Sequence, residues 1–317
     1  MNFINHKICK IECLNNYMKT LIFTTVVTLI LSSCESIIEM DIPEEPPKLV
    51  INSFFNPDST WKVSISKSQH ILDNAELKNI NDATVVIYYG SLAPETLSLS
   101  ADGIYTSESG KPLVKTEYRI EANAPGYDMA SSSDVIPEAI PIISVDTGST
   151  IIDATKYTQL KVKFKDTPGT KNYYNLQLLA RSYSYIYDQY YNLIDSMPYL
   201  EAISFSSRDV VFGSDEWFDS NGASFSDELF DGDLYSLILD IEKYFTLDEF
   251  SNGKYDKIYI RLKSTSAAYY SYATTFKKFK EVQGDPFAQP VQVFNNIDGG
   301  YGIFAGYSLA TDSVNLK

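Results

Sequence analysis

The sequence predicts a mainly β protein: an N-terminal antiparallel β-sandwich of the immunoglobulin or transthyretin kind, followed by a second β-rich domain with one helix in its C-terminal region. Three observations predict it. Apolar residues recur with period two, as in Trp61-Lys62-Val63-Ser64-Ile65 and Leu160-Lys161-Val162-Lys163-Phe164, the pattern of a strand with one buried and one wet face. Turn-formers such as Asn56-Pro57-Asp58, Asp102-Gly103 and Pro125-Gly126 punctuate these runs at short intervals. One stretch, 266–284, changes the period to three and four.

The N-terminus comes first. From Met18 the chain carries Lys19, an apolar run over 21–31, and then Leu31-Ser32-Ser33-Cys34, the three regions of a secretory signal. The apolar run has about eleven residues, where crossing a hydrocarbon core takes roughly 20. The residues before Met18 add no periodic apolar pattern and read as an upstream start or an extended n-region. A signal peptide is therefore expected over 1–33, with Met18 as its true start. The small-small-Cys ending resembles the lipobox of bacterial lipoproteins. That resemblance implies that Cys34 is the lipidation site, carrying diacylglycerol and palmitate-type acyl chains as first residue of the mature chain. Two or more acyl chains give stable anchoring without a span.

Residues 34–47 form an acidic stretch ending in Pro46-Pro47, which reads as a tether holding the body away from the headgroups. Strands are expected over 49–54, 61–65, 83–89, 96–100, 117–123 and 129–135. Pro137 and Pro141 mark the end of a sandwich domain spanning 48–140. The second domain, 141–317, opens with the Leu160–Phe164 alternation. It continues with a long run over 172–187, with Tyr235, Leu237, Leu239 and Ile241 on one face, and with Ile258, Ile260 and Leu262 inward. In 266–284, Tyr269, Tyr272, Phe276 and Phe279 follow helical spacing, with Ser266 at the start and Gly284 at the end, so a helix is expected over about 266–283.

Charge and cysteine content exclude several function classes. The leader holds three of 26 basic and one of 41 acidic residues. The mature body therefore carries 23 against 40, a formal −17 over 284 residues (317 less 33). Nucleic acid and anionic membrane surfaces need a basic footprint, so no nucleic-acid partner is expected. Cys34 is the only cysteine left after cleavage, which removes disulfides, thiolate metal sites and cysteine catalysis.

No residue is assigned a catalytic, cofactor or metal role. His70 is the only histidine outside the leader, without a Gly-x-Ser-x-Gly elbow to accompany it. Asp219, Asn221, Gly222 and Glu228 fall at calcium-loop spacing, but Trp217 would occupy the first ligand position and cannot supply an oxygen. Gly299, Gly300 and Gly302 lead into a strand-like segment, which suits a tight hairpin or bulge better than a phosphate loop. The 24 tyrosines are in excess; Tyr183, Tyr185 and Tyr187, with Tyr190 and Tyr191 beyond, would pack across strands or present a binding surface.

Four segments, in order along the chain, carry a family resemblance: the lipobox with Cys34-Glu35 and an Asp-Ile-Pro tether; Lys48-Leu49-Val50-Ile51-Asn52 with Asn56-Pro57-Asp58-Ser59; Tyr118 to Tyr127, ending Ala-Pro-Gly-Tyr; and Gly284-Asp285-Pro286-Phe287 with Asn295 to Phe304. In these the chain resembles the domain-of-unknown-function 4249 lipoproteins of Bacteroidota. Asp102-Gly103-Ile104-Tyr105 and the Ala-Pro-Gly-Tyr ending are similar to transthyretin-like or carboxypeptidase-regulatory sandwiches. The resemblance implies an outer-membrane, lipid-anchored protein at the cell surface, with the periplasmic face as the alternative. It also implies a TonB-dependent outer-membrane transporter as partner, and no enzyme. The expected function is capture of a nutrient, a peptide or a glycan. A structural or adhesive surface protein is the second reading, and a carboxylate-dependent hydrolase the third.

Overall fold

Period-two alternation fixes which side of each strand is buried, and the computed structural model shows where those sides meet. It describes residue 21 and residues 45–70, 73, 76–90, 94–213, 216–242, 255–285 and 287–316. Cys34, the leader apart from residue 21, and most of the expected tether lie outside the described residues. Among the described residues, no helix is long and apolar enough to cross a membrane. Residues Pro46–Lys317 form one unit.

The first seven strands are β1 (Leu49–Phe55), β2 (Lys62–Lys67), β3 (Thr84–Tyr89), β4 (Glu95–Ala101), β5 (Ile104–Thr106), β6 (Glu117–Asn123) and β7 (Ala130–Val135). They neighbour one another as β1-β2-β5-β4-β3-β6-β7, every pair antiparallel. Their inward residues (Leu49, Ile51, Ile65, Ile87 and Ile120 among them) share one core with the aromatic group Phe55, Trp61, Tyr118 and Phe304. Phe55 and Phe304 stack with centroids 4.4 Å apart, and Trp61 meets Tyr118 edge-on at 4.9 Å. Pairs of this geometry add roughly 0.5–1.5 kcal/mol each beyond the area they bury.

The chain continues through β8 (Ile142–Ile152), β9 (Thr155–Lys165), β10 (Tyr173–Tyr187), β11 (Leu193–Ile203), β12 (Phe205–Ser207), β13 (Glu216–Phe218), β14 (Ala223–Ser226), β15 (Leu234–Glu242) and β16 (Lys257–Thr265). Helix α1 (Ala267–Val282) and β17 (Tyr301–Asn315) complete it. A five-stranded sheet, β13-β12-β15-β9-β8, faces β10 and β16 of the larger sheet. Leu160, Val162 and Phe164 on one side meet Leu176, Leu178, Ile258 and Ile260 on the other. The expected alternations in β9, β15 and β16 are the ones observed, with Lys161 and Lys165 outward.

Among the described residues one strand pairing is parallel, in a sheet otherwise antiparallel. β17 lies alongside β1 from Val50↔Tyr301 to Phe55↔Gly306, then alongside β16 from Thr265↔Tyr307 to Lys257↔Asn315. The last strand thereby joins the two halves into one twelve-stranded sheet. Its residues Ile303, Phe304 and Ala305 are buried in succession, because both its faces are covered. Phe304 enters the first core, while Tyr307 on the other face meets Tyr269 of α1.

Where β17 leaves β16, its backbone finds other partners. Asn296 supplies both Oδ1 and Nδ2 to the N–H and C=O of Phe304, at 3.0 and 2.8 Å. Gly306 N–H donates to Asp134 at 2.8 Å, and its carbonyl accepts from Ser266 N–H at 3.0 Å. Ser266 is the residue that caps α1, its Oγ accepting from Tyr269 N–H at 3.1 Å. Gly284, with φ +90°, follows the helix end. The glycine cluster at 299–302 does not close a hairpin, since no strand precedes it; it delivers the chain into the parallel pair. A Cβ on Gly302 would lie 2.1 Å from Ile51 O, at φ +114°.

That contact yields a prediction. Gly302→Ala is expected to destabilise the protein by about 2–3 kcal/mol, through backbone strain plus loss of the β1–β17 register. Gly126→Ala, also at positive φ (+83°) but with open space around it, should cost only about 1 kcal/mol. Urea unfolding midpoints compare the two; equal losses would contradict the account.

Candidate functional site

Helix α1 covers the outer face of the large sheet, the face away from both cores. Tyr270 stacks on Tyr173 of β10 with centroids 4.6 Å apart. Tyr269 and Tyr272 meet Phe54 of β1 edge-on at 5.0 and 5.6 Å. Opposite the helix rise β13, β14 and the 3-10 turn Val210–Phe212; Gln177 Nε2 donates at 2.7 Å to Ser220 O, in the turn between β13 and β14.

Between these walls runs a groove of about 770 Å³, within the size range of small-molecule sites. Its floor is Asn175 and Gln177 of β10 with Lys263 of β16. Its walls are largely aromatic: Tyr272 and Phe276 from the helix, Phe212, Trp217 and Phe218 across from them. Lys277 spans the gap, its Nζ 4.6 Å from the Phe218 ring centroid. Lys263, Lys277, Lys278 and Lys280 line it against Asp219 and Glu281, so an acidic chain of formal charge −15 carries a basic groove. Both acids are engaged: Asp219 accepts from Asn221 N–H and Nδ2, and Glu281 lies 3.8 Å from Lys277 Nζ.

Lys263 stands apart from the other lysines. Its Nζ donates to Tyr269 Oη at 3.0 Å and lies 5.3 Å from the Tyr307 ring centroid. Among the described residues no carboxylate pairs with it. Burial pushes its ammonium down to about 8, with Arg261 adding like-charge repulsion. Burial likewise raises the phenols of Tyr269 and Tyr272.

Of the residues singled out in the sequence, Trp217, Asp219, Asn221 and Gly222 of the calcium-like spacing and Tyr269, Tyr272 and Phe276 of the helix line the groove, and the others lie elsewhere. His70 sits in the segment after β2 and does not line the groove. In the Asp219–Glu228 stretch Asp219 is bonded to Asn221 and Glu228 pairs with Lys171 at 2.7 Å, with β14 between them. A separate acidic cluster forms from Asp166, Asp227 and Asp231, with ligand-type oxygens within 4.8 Å of one another. Those carboxylates fasten a loop: Asp166 accepts from Tyr174 O–H and Gly232 N–H, Asp227 from Asn172 N–H, and Asp231 from Gly169 N–H. Tyr183 donates to Asp256 at 3.1 Å, and Tyr187, Tyr190 and Tyr191 lie exposed toward the tip of the β10–β11 hairpin; none lines the groove. Lys263, Asn175 and Trp217 were not legible beforehand. The one available signal was that Trp217 is one of only two tryptophans, and it sits 52% exposed.

A family model described as Domain of unknown function (DUF4249) matches residues 35–313. No curated protein matches the chain.

The lysine gives a pH prediction. A folded-state value of about 8 against an ordinary 10.5 means the unfolded chain holds the extra proton between those limits. Stability linked to Lys263 is thus present above about pH 10.5 and lost as pH falls through about 8. Relative to Lys263→Met, the wild type should gain on the order of 2–3 kcal/mol between about pH 7 and pH 10.5. Denaturation of both proteins across that range measures it, and a constant difference would refute it.

Proposed function

The chain belongs to the DUF4249 family, and on that footing we propose that it is a lipid-anchored, non-enzymatic binding protein that captures a small nutrient-derived ligand in the groove beneath α1. The observation that carries this reading is the groove itself: a concave, largely aromatic site with a few convergent polar groups, the usual composition of ligand pockets. Lipid anchoring at Cys34, display at the outer membrane and delivery to a TonB-dependent transporter belong to the same proposal. Their support is the signal-like leader and the small-small-Cys site that closes it.

Three measurements test it. Mass spectrometry of the protein from its own membranes is expected to show cleavage before Cys34 and an acylated sulfur; a free thiol or an uncleaved leader would refute the anchor. Native mass spectrometry should show a bound compound that Ala273→Trp, which fills the groove, lacks. If wild type and variant retain the same compound, the groove is not its site. Detergent pull-down without any transporter would separately remove the partner.

A further inference from the structure

The hairpin β10–β11 outgrows the sheet that carries it. β16 follows β10 only as far as Arg181↔Lys257, whereas β11 pairs with it out to Tyr187↔Leu193. At about 3.3 Å per residue, 182–187 and their partners form a ribbon roughly 20 Å long, with no further strand beside it among the described residues. Its side chains are apolar all the same: Tyr190 is 74% exposed, Tyr191 89%, Ile194 64%, Leu193 56% and Leu200 53%. The turn is built to hold them out. Asp188 accepts from the N–H groups of Tyr190 and Asn192 at 2.7 and 2.8 Å, and from Asn192 Nδ2 at 2.8 Å. Tyr191 adopts φ +63°, a conformation unfavourable for a residue with its side chain. Aromatics fixed in advance lose little freedom on being covered.

An edge strand ordinarily recruits another strand. β11 is the sheet's edge, but Pro198 in its middle lacks the N–H that strand addition uses, which leaves the faces. Arg181, Tyr183 and Tyr185 share one face with their partners Leu200, Pro198 and Ser196, and Asp256 neutralises Arg181 through bonds of 2.8 and 2.5 Å. The other face carries Asp195 and Glu201, paired with Ile186 and Ala180, and those acids would repel a second copy. Along the first face charge is graded, with Asp188 at the tip and Arg181 and Lys257 at the base. A second ribbon laid antiparallel puts each acidic tip over the other's basic base. Side-by-side packing is obstructed, because α1 covers the same face lower on β10, where Tyr270 stacks on Tyr173.

We propose that the ribbon is a homophilic contact, in which two copies of this chain join head to head through the Tyr183 faces and the tips. Face and tip together expose on the order of 800 Å². The largest patch of an ordinary monomer is roughly 300–600 Å², and a stable interface takes about 800 Å² from each partner. β1 enters at the far end, since β17 runs from Tyr301 beside Val50 to Asn315 beside Lys257, about 45 Å away. The two β1 ends of such a pair point apart, which suits copies held in separate membranes by the lipid anchor proposed above. The pairing itself does not depend on that anchor.

Sedimentation equilibrium of the whole chain tests this, with Leu200→Glu on the contact face and Met197→Glu on the other. The two sites lie on one strand and are 53% and 55% exposed, so both variants should fold alike. Wild type is expected to dimerise with a dissociation constant below roughly 10 μM. Leu200→Glu should weaken the dimer at least about tenfold by burying an unpaired charge, and Met197→Glu should change it less than about twofold. A wild type that stays monomeric at about 100 μM overturns the contact. So does association that both variants keep, which would place it elsewhere (the apolar leader included), or that both lose, or that Met197→Glu alone abolishes. Flotation with phosphatidylcholine vesicles that Tyr191→Asp removes would make lipid the occupant, and overturn it too.

Discussion

The first strand and the last lie side by side and run in the same direction, and much of the rest follows from that pairing. A parallel pair cannot be closed by a tight turn, so β1 and β17 bracket nearly the whole folded chain between them. Phe304 then becomes a core residue of strands more than 200 positions earlier, through its contacts with Phe55 and Trp61. The approach is only possible because Gly302 has no side chain where the Ile51 carbonyl lies. Pairing between chain ends is also the most entropically demanding contact to form, which places it late in folding.

The helix is tied to the same element. β17 gives up β16 at Gly306, and the carbonyl left there is taken by Ser266, the capping residue of α1. The start of the helix is thereby fixed by a backbone bond to the strand that joins the two halves. From that point α1 must pass over the outer face of β17, β16 and β10, which in an uncovered sandwich would be wet. Polar residues suited to a wet face, Asn175 and Lys263 among them, end up desolvated. Burying an unpaired acceptor and a cation destabilises the empty fold. Local inconsistency of this kind concentrates at functional sites.

The strands with one clean wet face were legible in the sequence, and for a physical reason. In β6, most of β16 and the second half of β9 burial alternates residue by residue, so period-two spacing alone reports the sheet. Helix α1 was legible because Ser266 and Gly284 carry capping chemistry that holds in any context. What escaped were elements whose pattern is set by distant neighbours. β11 is exposed along most of its length, so no apolar stripe marks it. β5, β12 and β13 are three residues long. β17 showed only part of its length, because a strand covered on both faces shows no alternation. The groove was hidden for the same reason. Lys263 reads as one more outward lysine like Lys161, and only the cover of α1 separates them.

Charge decides what such a groove can hold. The chain is formally −15, which repels free anions at long range, yet at physiological ionic strength that field decays over about 8 Å. Inside the groove the local lysines act through protein rather than water, where each interaction is stronger. A small hydrophilic anion would feel the acidic surface on approach and gain little from the walls. A ligand with a large apolar body gains from Trp217, Phe276 and Tyr272 before its charge is committed, and then meets Lys263 in a desolvated setting. Selectivity in this arrangement comes from requiring both parts at once. The aromatic area would supply attraction that the net charge cannot weaken, and Lys263, without a carboxylate partner among the described residues, would favour an apolar ligand that carries an anion.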